Sequence, residues 1–163
     1  MEEKMMSVSD AEAEVRIVID RFAHFYYHVV QNLIREYGEE QAEKMIRKIV
    51  KDFGMECGRM TRERVESLGH EPTLENHHLG KDLPSLTFRK RKLETGKENE
   101  KAAEVTFCPY ADTWKKLGFE KWGRLYCTID QAKYKGYNEG FSCFHDLNVL
   151  DGDDRCIVRV VKG

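Results

Sequence analysis

The sequence predicts an α+β fold, a four-stranded antiparallel sheet with helices packed over one face. Three observations point there. Apolar residues recur at helical spacing through roughly the first 80 positions, alternate in strand-length runs from 85 onward, and flank a cysteine- and tryptophan-rich middle segment punctuated for two more helices. The expectation is one domain of 163 residues, with a helical half over 9–80 and the sheet and central helices over 85–161.

Ser9 or Ser7 can cap a first helix beginning near Asp10. Val15, Val18, Ile19, Phe22, Tyr26, Val29, Leu33 and Ile34 then recur with helical spacing until Gly38 stops it. Arg21, His24, His28 and Arg35 fall on one flank. His24 and His28, four apart, either form a polar face or reach for one metal ion, and no HExxH glutamate accompanies them. A second helix runs from Glu39 through Ala42, Ile46, Val50 and Phe53. It either breaks near Gly54 or continues past Gly54 and Gly58 to Leu68. Each interior glycine costs about 1 kcal/mol against alanine, so a continuous helix needs something packed on the bare backbone. Cys57 lies between those glycines and would need a nearby base or cation to act as a nucleophile.

The segment TLENHHLGKDLP reads as a surface loop or a lid, because adjacent His77 and His78 point about 100° apart on any helix. Two strands follow, 85–93 and 102–107, separated by ETGKENEK; the basic run at 86–97 is a solvated strand face. Two more, 141–150 and 156–161, are joined by DGDD, a hairpin signal. Alternation puts Phe141, Cys143, His145, Leu147 and Val149 on one face of the third strand.

Between the strand pairs lies CPYADTWKKLGFEKWGRLYCTID, from Cys108 to Asp130. Pro109 suits a first helical position and Gly118 the position past an end, which gives a helix of about Pro109–Leu117. A second is expected from about Glu120 to Lys135, closed by Gly136 and Asn138. On it Cys127 and Asp130 share a face, flanked by Tyr126 and Tyr134. Trp114 and Trp122 anchor the two helices in the core.

Charged residues are 34% of the chain, hydrophobic ones 40%, and the net charge is −2, which favours neither nucleic acid nor anionic membrane as a partner. The opening MEEKMMSVSD is no secretory signal, and no run of about 18 apolar residues spans a bilayer, so a cytoplasmic location is expected. Five cysteines without a CxxC pair read as reduced thiols.

Cys108-Pro109, Trp114, Gly118, Gly123, Tyr126-Cys127, Asp130, Gly136-Tyr137-Asn138, Phe141, Leu147, Gly152-Asp153 and Cys156 together carry a likeness. With these residues at these spacings, the last third of the chain resembles the L-2-amino-thiazoline-4-carboxylic acid hydrolase family. The resemblance implies an enzyme that opens a 2-amino-thiazoline ring at a C–N bond outside peptides. Such chemistry needs an attacking group, a proton source for the ring nitrogen, and a cation or helix start for the carboxylate. Cys108, at a helix start that would lower its pKa, is the first nucleophile candidate. Cys127 and Asp130 offer a second thiol and a base, Tyr126 or Tyr137 a proton donor, Asn138 a hydrogen bond to a polar ligand, and Trp114 a stacking platform. Alternatively Cys127, Asp130 and His145 form a ligand set suited to zinc or iron, with a metal-bound water as the attacking group. The last hairpin is also similar to that of vinyl-4-reductase-type small-molecule-binding domains. That likeness implies a pocket between helices and sheet, a homodimer, and a rival role as a non-catalytic ligand sensor.

Overall fold

The computed structural model describes residues 6–163; the acidic opening Met1 to Met5 lies outside them. Helix α1 spans Val8–Tyr37 and is capped by Ser7, whose hydroxyl accepts a hydrogen bond from the Asp10 amide at 3.1 Å. Its buried line is Ile19, Ala23, Tyr26 and Val30, rotated from the expected stripe so that Val18 is 68% exposed. Gly38, at φ +76°, turns the chain into α2, Glu39–Ser67.

Helix α2 passes unbroken through both of its interior glycines, because another helix lies on them. A Cβ at Gly58 would sit 2.1 Å from the Lys133 carbonyl oxygen, and one at Gly54 would sit 2.7 Å from Ala132 Cβ. Side chains larger than hydrogen would hold the two backbones apart.

That other helix corrects the sequence reading. The region expected as one helix over 120–135 is two, α4 (Glu120–Tyr126) and α5 (Ile129–Tyr137), following α3 at Pro109–Lys116. The break falls at Cys127 and Thr128, where the Thr128 hydroxyl donates to the Leu125 carbonyl at 2.6 Å and its amide reaches the same oxygen at 3.1 Å. This back-bonding tightens the turn and starts a new helix. Cys127 and Asp130 therefore do not share one helical face, and α5 runs past Gly136 instead of stopping there.

The strands are β1 (Arg89–Leu93), β2 (Glu100–Phe107), β3 (Phe141–Leu147) and β4 (Cys156–Lys162), in the antiparallel order β1-β2-β4-β3. The α+β class with a four-stranded antiparallel sheet is thus observed. β3 is shorter than expected, because a bulge between His145 and Leu147 ends the alternation. Asn148 then turns the chain: its amide donates to Asp153 at 2.7 Å and its side-chain oxygen accepts from Leu150 at 2.9 Å. Register places Lys90 and Lys92 of β1, Lys101 and Ala103 of β2, Val158 and Val160 of β4, and Cys143 and His145 of β3 on one face. The other face carries ion pairs such as Arg159 with Asp146 at 2.7 Å.

Two apolar clusters hold the layers together. One gathers Tyr26, Val30, Ile46, Trp114 and Phe119 between α1, α2, α3 and α4; the other gathers Val65, Tyr137, Phe141, Cys143 and Val160 where α2 and α5 meet the sheet. Among the described residues, no helix is long and apolar enough to cross a membrane.

Candidate functional site

Where α5 crosses the inner face of the sheet, four ionisable side chains form a chain of contacts. Asp82 Oδ1 lies 3.3 Å from Lys133 Nζ, Lys133 Nζ lies 3.8 Å from Asp130 Oδ1, and Asp130 Oδ2 lies 3.1 Å from His145 Nε2. Local structure explains each position. The break at Thr128 puts Asp130 in the first turn of α5, where a carboxylate suits the positive end of the helix. Lys133 follows one turn later, His145 comes from the inner face of β3, and Asp82 from the segment that leads into β1.

Burial opposes the charges of Asp130 and Lys133, and their partners outweigh it. Burial pushes the Asp130 carboxyl up, but the hydrogen bond to His145 and the nearby Lys133 ammonium bring it below its ordinary value. Lys133 is pulled down by burial and more than restored by Asp130 and Asp82, so its pKa ends raised. Both groups are charged at neutral pH. The His145 side chain is 2% exposed, and its second ring nitrogen, Nδ1, has no hydrogen-bond partner among the described residues. Leaving such an atom buried and unpaired costs about 1–3 kcal/mol, so it calls for an explanation.

His77 flanks this chain. It stacks on Tyr134 with ring centroids 4.6 Å apart and meets Tyr137 edge-on. Burial drives its pKa down to about 4, aided by the positive charge of Lys133, and its Nε2 is likewise unpartnered among the described residues. Cys57, on α2, lies near Lys133 and Asp82; burial and the Asp82 charge push its thiol up.

The residues singled out from the sequence are placed as follows. Cys108 sits at the start of α3, and the amides of Ala111 and Tyr110 do pull its thiol pKa down, yet burial dominates and raises it to about 11. Burial likewise raises Cys127 to about 12, against a hydrogen bond with Asn148. The helix start is therefore too weak an influence to make Cys108 a thiolate.

Trp114 is 1% exposed and donates to the Ala23 carbonyl at 3.2 Å, an anchor of the core. Tyr126 packs among Phe22, Tyr26, Tyr110 and Trp114. The Tyr137 hydroxyl donates to Thr73 at 2.9 Å and the Asn138 amide to Pro72 at 3.0 Å, tying down the segment before the 3₁₀ turn Asn76–Gly80. Asn138 is extended.

Among the described residues, no three of His, Cys, Asp and Glu are arranged to hold a metal ion. Cys127 is engaged with Asn148, and the space on Asp130 opposite His145 is taken by the Lys133 ammonium, a poor neighbour for a cation. His24 and His28 are both exposed on α1, with His24 Nδ1 against the Asp20 carbonyl at 2.8 Å.

A cleft of about 380 Å³ opens between the 3₁₀ turn and the inner face of the sheet, lined by His77 and Tyr134 on the helix side and Lys90 and Lys101 on the sheet side, but by none of Asp82, Asp130, Lys133 and His145. Sequence reasoning missed Asp82, Lys133 and these lysines as site residues. The strand register was the available signal, since it turns Lys90, Lys92 and Lys101 inward.

Among solved structures, the chain is similar to a trafficking protein particle complex subunit 3 from Naegleria fowleri, crystallised covalently bound to palmitic acid. The TM-score is 0.57 at 17% identity, over 90% of this chain and 96% of that one, a likeness of fold. No curated protein matches the sequence. The model of the family described as L-2-amino-thiazoline-4-carboxylic acid hydrolase matches residues 19–160, from within α1 to within β4. A match that runs from within α1 through α2, the α5 crossing and three strands into β4 settles the kinship: the chain belongs to the L-2-amino-thiazoline-4-carboxylic acid hydrolase family.

Proposed function

We propose that the protein hydrolyses a small cyclic C–N substrate of the 2-amino-thiazoline-4-carboxylate type, with the Asp130–His145 pair as the base. The observation that supports this reading is the divided state of the His145 ring, with one nitrogen held by an ionised carboxylate and the other buried without a partner. In that arrangement Asp130 fixes the tautomer with hydrogen on Nε2, leaves Nδ1 as a proton acceptor, and stabilises the imidazolium once formed.

The step would run in balance. Water adds to the amidine carbon as Nδ1 takes its proton, which the imidazolium passes to the ring nitrogen as the C=N double bond opens. The tetrahedral carbon then collapses to a carbonyl, its hydroxyl proton going to Nδ1 and on to the ring sulfur, whose bond to that carbon breaks to leave the thiol of carbamoyl-cysteine. Lys133, kept charged between Asp82 and Asp130, is the cation closest to the pair. A thiolate route is disfavoured by the raised pKa values of Cys108 and Cys127.

Incubating the protein with L-2-amino-thiazoline-4-carboxylate and following carbamoyl-cysteine by mass spectrometry tests the reading. Turnover lost in His145→Gln supports it; absence of turnover in the wild type removes it. A second reading, ligand binding without turnover, is favoured by the fold shared with a subunit solved with palmitic acid attached. In that case the added compound binds and is recovered intact.

A further inference from the structure

We propose that the cleft between the 3₁₀ turn and the inner face of the sheet is a binding site for a straight-chain carboxylate, an aliphatic body with an anionic head. This site stands on the cleft itself and not on the hydrolase reading. Its floor is apolar, made of Leu74, Ala103, Tyr134, Val158 and Val160. Its rim carries the ammonium groups of Lys90, Lys92 and Lys101; Lys101 lies 3.7 Å from the Glu75 carboxylate and Lys92 3.5 Å from that of Glu94, while Lys90 has no ion-pair partner among the described residues. The volume, about 380 Å³, is within the range of small-molecule sites, roughly 300–1,000 Å³.

The lysines are not accounted for by protection of the sheet edge. Inward-pointing charges on an edge strand deter pairing with other chains, and β1 is such an edge, which would explain Lys90 and Lys92. Lys101 is on β2, an interior strand, yet it opens on the same cleft and donates to the Leu74 carbonyl at 2.9 Å. Lys90 is also held below its ordinary pKa by burial and by the like charges of Lys81 and Lys133, a condition that a bound anion relieves. Cations above an apolar floor select an amphiphile whose head is negative. A cationic or neutral chain gains the floor and loses the rim.

Isothermal titration of the full chain at low ionic strength with decanoate, decanol and decylamine tests this. Decanoate is expected to bind at micromolar concentration, with decanol at least tenfold weaker and decylamine undetected. The Lys90→Glu/Lys92→Glu variant is expected to bind decanoate at least tenfold more weakly, and Ala103→Phe, which fills the floor, to abolish binding; a thermal melt confirms that each is folded. Equal binding of decanoate and decanol, no binding of any of the three, or unchanged affinity in folded Lys90→Glu/Lys92→Glu overturns the proposal. Turnover of amino-thiazoline carboxylate is read separately on the wild type. Decanoate binding without turnover removes the hydrolase reading alone, and turnover without decanoate binding removes this one alone.

Discussion

Asp130 Oδ2 lies 3.1 Å from His145 Nε2, a contact that joins the first turn of α5 to the inner face of β3. The contact exists because α5 begins at Ile129, not at Glu120, and because three glycines let α5 press against α2. Besides Gly54 and Gly58, Gly136 would bring a Cβ within 2.3 Å of the Met55 carbonyl oxygen. Helix packing without side chains thus sets the depth at which the carboxylate meets the imidazole.

Gly58→Ala should therefore damage more than its own helix. The added methyl meets the Lys133 carbonyl and the Tyr137 amide, both backbone atoms of α5 that cannot rotate away. A loss of about 3 kcal/mol in urea denaturation is expected, at the upper end for overpacking a tight contact. Gly38→Ala, at a turn with open space around it but at φ +76° and ψ 162°, a region essentially confined to glycine, should cost about 2 kcal/mol through backbone strain alone.

Asp130→Asn should leave Lys133 and His145 without their ionised partner, and a loss of about 2–4 kcal/mol is expected. The sign with pH follows from a carboxyl held below its ordinary value. Its stabilisation is fully present above the unfolded pKa, near 4, and is lost as pH falls through the lower folded value. The difference in unfolding free energy between wild type and Asp130→Asn should shrink as pH falls below about 4.

His77 gives the opposite kind of test, a base whose pKa is depressed from 6.5 to about 4 by burial. Between those values the unfolded chain binds a proton that the folded chain does not, so stability falls as pH drops through this window. The full span is about 3 kcal/mol. In His77→Phe, which keeps a ring against Tyr134, the fall in melting temperature between pH 6.5 and 4 should be visibly smaller than in the wild type.

Cys108→Ser and Cys127→Ser should each retain turnover within about threefold, because thiols raised to about 11 and about 12 are protonated at neutral pH. Iodoacetamide labelling of the folded protein at pH 7.5, followed by mass spectrometry, should leave both cysteines unmodified for hours. Rapid alkylation of Cys108 would return the thiolate route to favour.

Periodicity made the long helices, the strands and their α+β arrangement legible, since spacings of 3.6 and 2 residues survive in the sequence whatever the tertiary contacts. The break at Thr128 left no such trace, because a threonine that bonds back to its own helix looks like any other. Asp130 and His145 could both be named from the sequence as chemically capable groups. That they face each other depends on the crossing of α2 and α5, which is written in Gly54, Gly58 and Gly136 and is legible only once the partner of those glycines is known. The adjacent histidines read as a loop, and their divergent directions hold: His78 is exposed while His77 is stacked inside on Tyr134. Asp82 carried no signal at all, since its meaning comes from Lys133, 51 residues away in the chain.

The most direct measurement is the rate of amino-thiazoline carboxylate hydrolysis by wild type, His145→Gln and the double variant Cys108→Ser/Cys127→Ser, each confirmed folded by circular dichroism. A general base contributes about 10²–10⁴-fold. The account predicts a loss of at least 100-fold in His145→Gln, with the double serine variant within tenfold of wild type. A folded His145→Gln that turns over at the wild-type rate, or a double serine variant that is inert, would contradict it.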